Sequence, residues 1–150
     1  MNQILLFIFT KLASTVGLFA AISCIILWLL VQGQNQAAVS LFLTTLALTL
    51  TVTLFKKVFK VARPASATIT PSSYAFPSGH AAGATFLAMI IIILTRHIPT
   101  PLWYITVFTS SLIAVSIAYS RLYFKVHTWL QVTTGAVIGL LFSLLFAMLI

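Results

Sequence analysis

Long apolar runs separated by short polar breaks fill the chain from end to end. Residues Ile4 to Leu30 are apolar apart from Thr10, Lys11 and small hydroxyl residues, and the part from Leu12 to Val31 alone can cross a bilayer. A cleaved signal peptide is the lesser reading, because the run is longer than a signal core and closes on no small-x-small site. Gln32-Gly-Gln-Asn-Gln36 reads as a turn. A second run from about Ala37 to Phe55 continues as a basic segment, Lys56, Lys57, Lys60 and Arg63, which Pro64 stops. If the helix carries on to Arg63, then Lys56, Lys60 and Arg63 share one face as a column of positive charge. The stretch from Pro64 to Pro77 holds Pro64, Pro71 and Pro77 among Ser, Thr and Ala, and reads as a loop outside the hydrocarbon. Further spans are expected from about Gly79 to Leu94, Leu102 to Tyr119 and Thr128 to Ile150. The pattern predicts an all-α integral membrane helix bundle of about five transmembrane helices, with residues 1–150 as one domain.

Composition sharpens that expectation. The chain is 61% hydrophobic and 5% charged, far from the roughly one-quarter charged residues of soluble domains. It carries a net charge of +8 with no Asp or Glu, so the only carboxylate in this sequence is the terminal one at Ile150. Mg²⁺ and Ca²⁺ sites and paired-acid hydrolysis all need side-chain carboxylates, so the composition argues against both. The cations are broken up by apolar spans and form no continuous stripe for a duplex, so a nucleic-acid partner is not expected. The single Cys24 sits inside an apolar run and reads as a packing residue.

Alternating crossings put the Lys56–Pro77 region and the Ser120–His127 region on one membrane face, and the polar residues gather there. Lys56, Arg63 and Pro64 form the first cluster. Alone it is best read as cations flanking a span and reaching for headgroups. Pro77-Ser78-Gly79-His80 opens the third span, where free backbone N–H groups and the helix dipole favour an anion. Ser78 adds a hydroxyl, Gly79 permits close approach, and His80 exchanges a proton near neutral pH. A plain turn and cap would use the same residues. In the third cluster, Ser120-Arg121 with His127, Arg121 offers a guanidinium fork matched to phosphate oxygens and His127 a nucleophilic nitrogen.

Taken together, Lys-x6-Arg-Pro, Pro-Ser-Gly-His and Ser-Arg-x5-His, in this order from Lys56 to His127, resemble the type 2 phosphatidic acid phosphatase family. The resemblance implies a phosphatase for lipid phosphates or diphosphates that needs no metal and no cofactor. In it His127 attacks phosphorus to give a phosphohistidine, and His80 protonates the leaving oxygen. Lys56, Arg63, Ser78, Gly79 and Arg121 hold the phosphoryl oxygens. Undecaprenyl diphosphate, phosphatidic acid and phosphatidylglycerophosphate are the substrates it suggests, in a bacterial inner or plasma membrane with the site on the outer face. The resemblance also implies six spans, where the sequence offers five runs.

One departure bears on activity. The family pattern continues x3-Asp after the last histidine, and here that position is Gln131. A Gln carbonyl can orient the imidazole but brings no charge, and losing the acid of a comparable dyad costs several orders of magnitude. A phosphatase with a weakened nucleophile therefore stands beside a silent phospholipid-binding member and a helical subunit of a larger complex. Two smaller departures are Lys125, where the family commonly has Gly, and Thr128-Trp129, where a Pro is usual. Gly135 and Gly139 give a Gly-x3-Gly spacing that suits close helix packing, within the bundle or in a homodimer.

Overall fold

The computed structural model describes residues 15–64, 67 and 73–150. Lys11 with the beginning of the first apolar run, and most of the Pro64–Pro77 loop, lie outside the described residues. Among the described residues five helices follow in order: α1 Thr15–Val31, α2 Asn35–Phe59, α3 Gly79–Leu94, α4 Thr100–Tyr123 and α5 Trp129–Leu149. Of these α2, α4 and α5 are long and apolar enough to cross a membrane. The described parts of α1 and α3 are shorter, at 17 and 16 residues. Large apolar side chains such as Leu54, Phe108, Leu112 and Leu141 stand more than half exposed on the outside of the bundle. That surface suits hydrocarbon rather than water.

Local sequence explains most boundaries. Gly33 closes the α1–α2 turn at φ 73°, where a side chain would be strained. Pro101 occupies the first turn of α4, where its missing N–H costs nothing. Helix α2 does not run on to Arg63. It ends at Phe59, and Lys60 caps it at φ 46° with its N–H donating to the Lys56 carbonyl at 3.1 Å. The expected column of Lys56, Lys60 and Arg63 is thereby broken. Lys60 is exposed, and the chain turns back so that the Ala75 N–H donates to the Val61 carbonyl at 2.9 Å.

The tightest packing is between α3 and α5. A Cβ on Gly135 would collide with the Ser78 carbonyl, and one on Gly139 with the Ala82 carbonyl. Small residues let the two backbones touch, which is how helices associate where no hydrophobic driving force is available. Both glycines are buried against α3 of the same chain, so this Gly-x3-Gly face has no room for the homodimer contact that its spacing allowed. Ile22 and Leu29 of α1 and Leu41 and Leu48 of α2 complete the core around the fully buried Phe86 and Phe146. At the far end, Gln36 Nε2 donates to the Leu149 carbonyl at 2.8 Å and joins α2 to α5.

Candidate active site

The end of the bundle opposite Gln36 carries the polar residues. Four structural devices bring them together. Ser78 caps α3, accepting from the Ala81 N–H at 3.4 Å, and its own N–H donates to the Gln131 carbonyl at 3.0 Å, tying the start of α3 to α5. His80 therefore stands in the first turn of α3, fixed against α5. Arg121 is buried in the last turn of α4, where its Nε donates to Ser120 Oγ at 3.1 Å, while that hydroxyl donates to the Ile117 carbonyl at 2.7 Å. The chain then doubles back through Lys125 at φ 53°, with the Val126 and His127 N–H groups both donating to the Arg121 carbonyl, at 3.1 and 3.3 Å. Thr128 and Gln131 form a capping box at the start of α5.

Arg63 reaches in from the other side. Its Nη1 donates to the Val126 carbonyl at 2.9 Å and lies 3.2 Å from His127 Nε2. Its Nε donates to the Ser73 carbonyl at 3.1 Å. Lys56 Nζ donates to Ser73 Oγ at 3.3 Å and to the Tyr74 carbonyl at 3.1 Å. The resulting cavity, of about 380 Å³, is lined at its polar end by Lys56, Arg63, Ser73, Gly79, His80, Arg121 and His127. Every side chain singled out from the motifs as a phosphate ligand or acid–base group, apart from Ser78, lines this one space. Ser78 is fully buried beneath it as a helix cap.

The capping box decides the protonation of His127. The Thr128 N–H can only donate, and it donates to Gln131 Oε1 at 3.0 Å, so the amide oxygen faces inward. That same oxygen lies 3.1 Å from His127 Nδ1, so Nδ1 carries the proton and donates. Nε2 is left with its lone pair directed toward the Arg63 guanidinium. Burial holds the His127 pKa down to about 4, and the adjacent Arg63 cation acts in the same direction. Hydrogen bonding to Gln131 and the Ala75 backbone opposes this and is outweighed. At neutral pH His127 is therefore an uncharged imidazole whose Nε2 carries no proton and accepts from Arg63. Burial lowers the Arg63 pKa as well, but a guanidinium remains charged at any pH of interest.

The family model of the PAP2 superfamily matches residues 37–150. The chain belongs to the PAP2 superfamily. A crystal structure described as the first transmembrane PAP2-type phosphatidylglycerolphosphate phosphatase, from Bacillus subtilis, shares the fold. It aligns with a TM-score of 0.84 at 24% identity, covering 97% of this chain and 76% of that one. No curated protein matches the chain. Membership and fold together make the chain a helix bundle of the transmembrane PAP2 type.

Within this PAP2 framework the departures acquire a physical meaning. Lys125 takes the left-handed conformation that a Gly would adopt without strain, and it is exposed, away from the cavity. Trp129 and Tyr123 are also exposed near the helix ends, where amphipathic rings suit a membrane interface. The motifs did not indicate Ser73, whose carbonyl and hydroxyl hold both Arg63 and Lys56. No spacing rule marks a lone Ser in a Ser-rich loop. The dual role of Gln131 was available from Thr128-x2-Gln131 before an apolar run, a capping-box signature.

Proposed function

We propose that this PAP2 member hydrolyses a membrane lipid phosphate or diphosphate through a phosphohistidine at His127. The observation that carries the reading is the cavity in which an uncharged His127, with Nε2 unprotonated, meets Lys56, Arg63, Arg121 and His80. The phosphate group would displace the Arg63 hydrogen bond at Nε2 and take the cations as its oxygen ligands. Nε2 attacks phosphorus and the bond to the lipid oxygen breaks, with His80 giving that oxygen a proton. A water then attacks the phosphohistidine, returning the proton to His80 and releasing inorganic phosphate. Ser78 and Gly79 contribute through the α3 N-terminus, whose dipole favours the anion. No step calls on a metal ion or cofactor.

Phosphatidylglycerophosphate, phosphatidic acid and undecaprenyl diphosphate are the candidate substrates, the first being what the structurally similar Bacillus subtilis phosphatase is named for. By the family resemblance the site belongs on the outer face of a bacterial membrane. The test is phosphate release from each lipid in detergent with EDTA present, comparing the native chain, His127→Ala and Gln131→Asp. Release that survives EDTA, disappears with His127→Ala and rises with Gln131→Asp is expected. Gln131 supports a second reading, a silent phospholipid-binding member; lipid binding with no release from the native chain or Gln131→Asp would establish that one instead.

A further inference from the structure

The cavity does not stop at the cations. On α2, Lys56, Val52 and Leu48 recur every four residues and so lie above one another, and all three line the cavity. On α3, Gly79 and Gly83 repeat the spacing and line the facing wall. The lining thus changes from charged to apolar over about two helical turns, roughly 12 Å, the geometry of a phosphate joined to a hydrocarbon chain. The third wall is α1, through Leu18 and Phe19.

Helix α1 carries none of the motif residues and lies outside residues 37–150, the stretch that the family model matches. It packs chiefly on α2 and meets α3 more sparingly. It meets α3 at Gly83, where a Cβ would run into Leu18 Cδ2 and stand 3.4 Å from Leu18 Cγ. The side chain of Leu18 occupies the space that the missing side chain of Gly83 leaves. Leu18 is half-buried and projects into a groove, so its position limits the cross-section open to anything descending from the phosphate site.

We propose that Leu18 and Gly83 form a chain-selecting constriction, and that α1 sets which hydrocarbon chain this enzyme accepts. The inference rests on the phosphatase reading for the location of the phosphate, and it assigns the chain-binding half of the site to the groove between α1, α2 and α3. With Leu18 in place the constriction favours a slim, unbranched chain over the methyl-branched chain of a prenyl lipid. Gly83→Ala narrows it by pushing Leu18 into the groove. Leu18→Ala widens it and removes the obstacle to branching.

The test uses phosphonates, which bind without turning over. Binding of dodecylphosphonate, farnesylphosphonate and ethylphosphonate is measured by calorimetry on the full chain in detergent, for the native protein, Gly83→Ala, Leu18→Ala and the double variant. The dodecyl-to-ethyl affinity ratio is expected to fall at least tenfold in Gly83→Ala and to recover in the double variant. The farnesyl-to-dodecyl ratio is expected to rise at least threefold in Leu18→Ala. Ratios that stay fixed, or all three ligands weakening together, overturn the proposal. If Gly83→Ala does not fold, the Leu18→Ala ratio decides alone, since that change needs no new room. Failure of the native chain to bind any phosphonate would overturn the phosphate reading of the site. Binding with unmoved ratios overturns only the chain-selecting role.

Discussion

The α3–α5 seam and helix α4 represent opposite uses of an apolar helix. Along the seam, Gly135 and Gly139 bring two backbones into contact, and Ser78, Ala82 and Phe86 fill what remains. Helix α4 is also long and apolar enough to cross a membrane, yet its buried residues are only Ser110, Ile117, Ser120 and Arg121, while Tyr104, Ile105, Phe108 and Leu112 face outward. The difference shows where the site gets its rigidity. His80 and Gln131 rise directly from the top of the seam, which fixes their separation. Helix α4 delivers one cation from its last turn and is otherwise a wall against the surrounding hydrocarbon. The tight pair thus fixes His80 and the Gln131 side chain that orients His127, and orientation of this kind needs a rigid support.

The largest expected effect falls on the chemistry above the seam. His127→Ala should reduce phosphate release by about four orders of magnitude while the protein remains folded, as removing a nucleophile from a preorganised site does. Intact release would disconnect the seam from catalysis altogether. Next is Gln131→Asp, which restores a charge beside Nδ1 and should raise the rate on the order of a hundredfold. It also makes a pH prediction. His127 sits at about 4 in the native chain, so it becomes protonated and non-nucleophilic only as the pH falls through that value. A neighbouring carboxylate favours the imidazolium and raises the His127 pKa, so the acid limb of the pH–rate profile should move to higher pH. A limb already near 6.5 in the native chain would contradict the burial argument.

The seam itself is tested by Gly135→Val beside Phe108→Ala. The valine must displace the Ser78 backbone and should cost about 1–3 kcal/mol in thermal or denaturant stability. The outward-facing Phe108 should cost within about 0.5 kcal/mol. Equal losses would erase the contrast between the two regions. The smallest expected change is Lys125→Gly, which relieves a left-handed backbone at φ 53° and should stabilise by up to about 1 kcal/mol with little effect on rate.

Much of this was legible in the chain. Among the described residues the apolar runs correspond to five helices, with α3 matching at Gly79 and Leu94 and the start of the first run outside the described residues, because hydrophobic length is a local property. Lys56, Arg63, His80, Arg121 and His127 were legible as a group because their motifs sit at helix ends that alternate crossing brings to one face. Less was legible where a residue's role depends on its neighbours in space. The end of α2 at Lys60 broke a charge column that helical spacing alone had predicted. Gly135 and Gly139 could have served a partner chain, and only the position of the Ser78 and Ala82 carbonyls showed that α3 uses them.

By itself the sequence determined an acid-free membrane bundle with cations and imidazoles grouped at one end, because composition, run length and motif order require no partner coordinates. The tertiary structure alone decided which nitrogen of His127 is unprotonated, since that follows from a shared amide oxygen on Gln131 and a guanidinium arriving from far along the chain. It also decided that α1, which carries no motif residue, walls the cavity through Leu18. Both depend on distances between segments remote in sequence, and the packing of the whole bundle sets those distances.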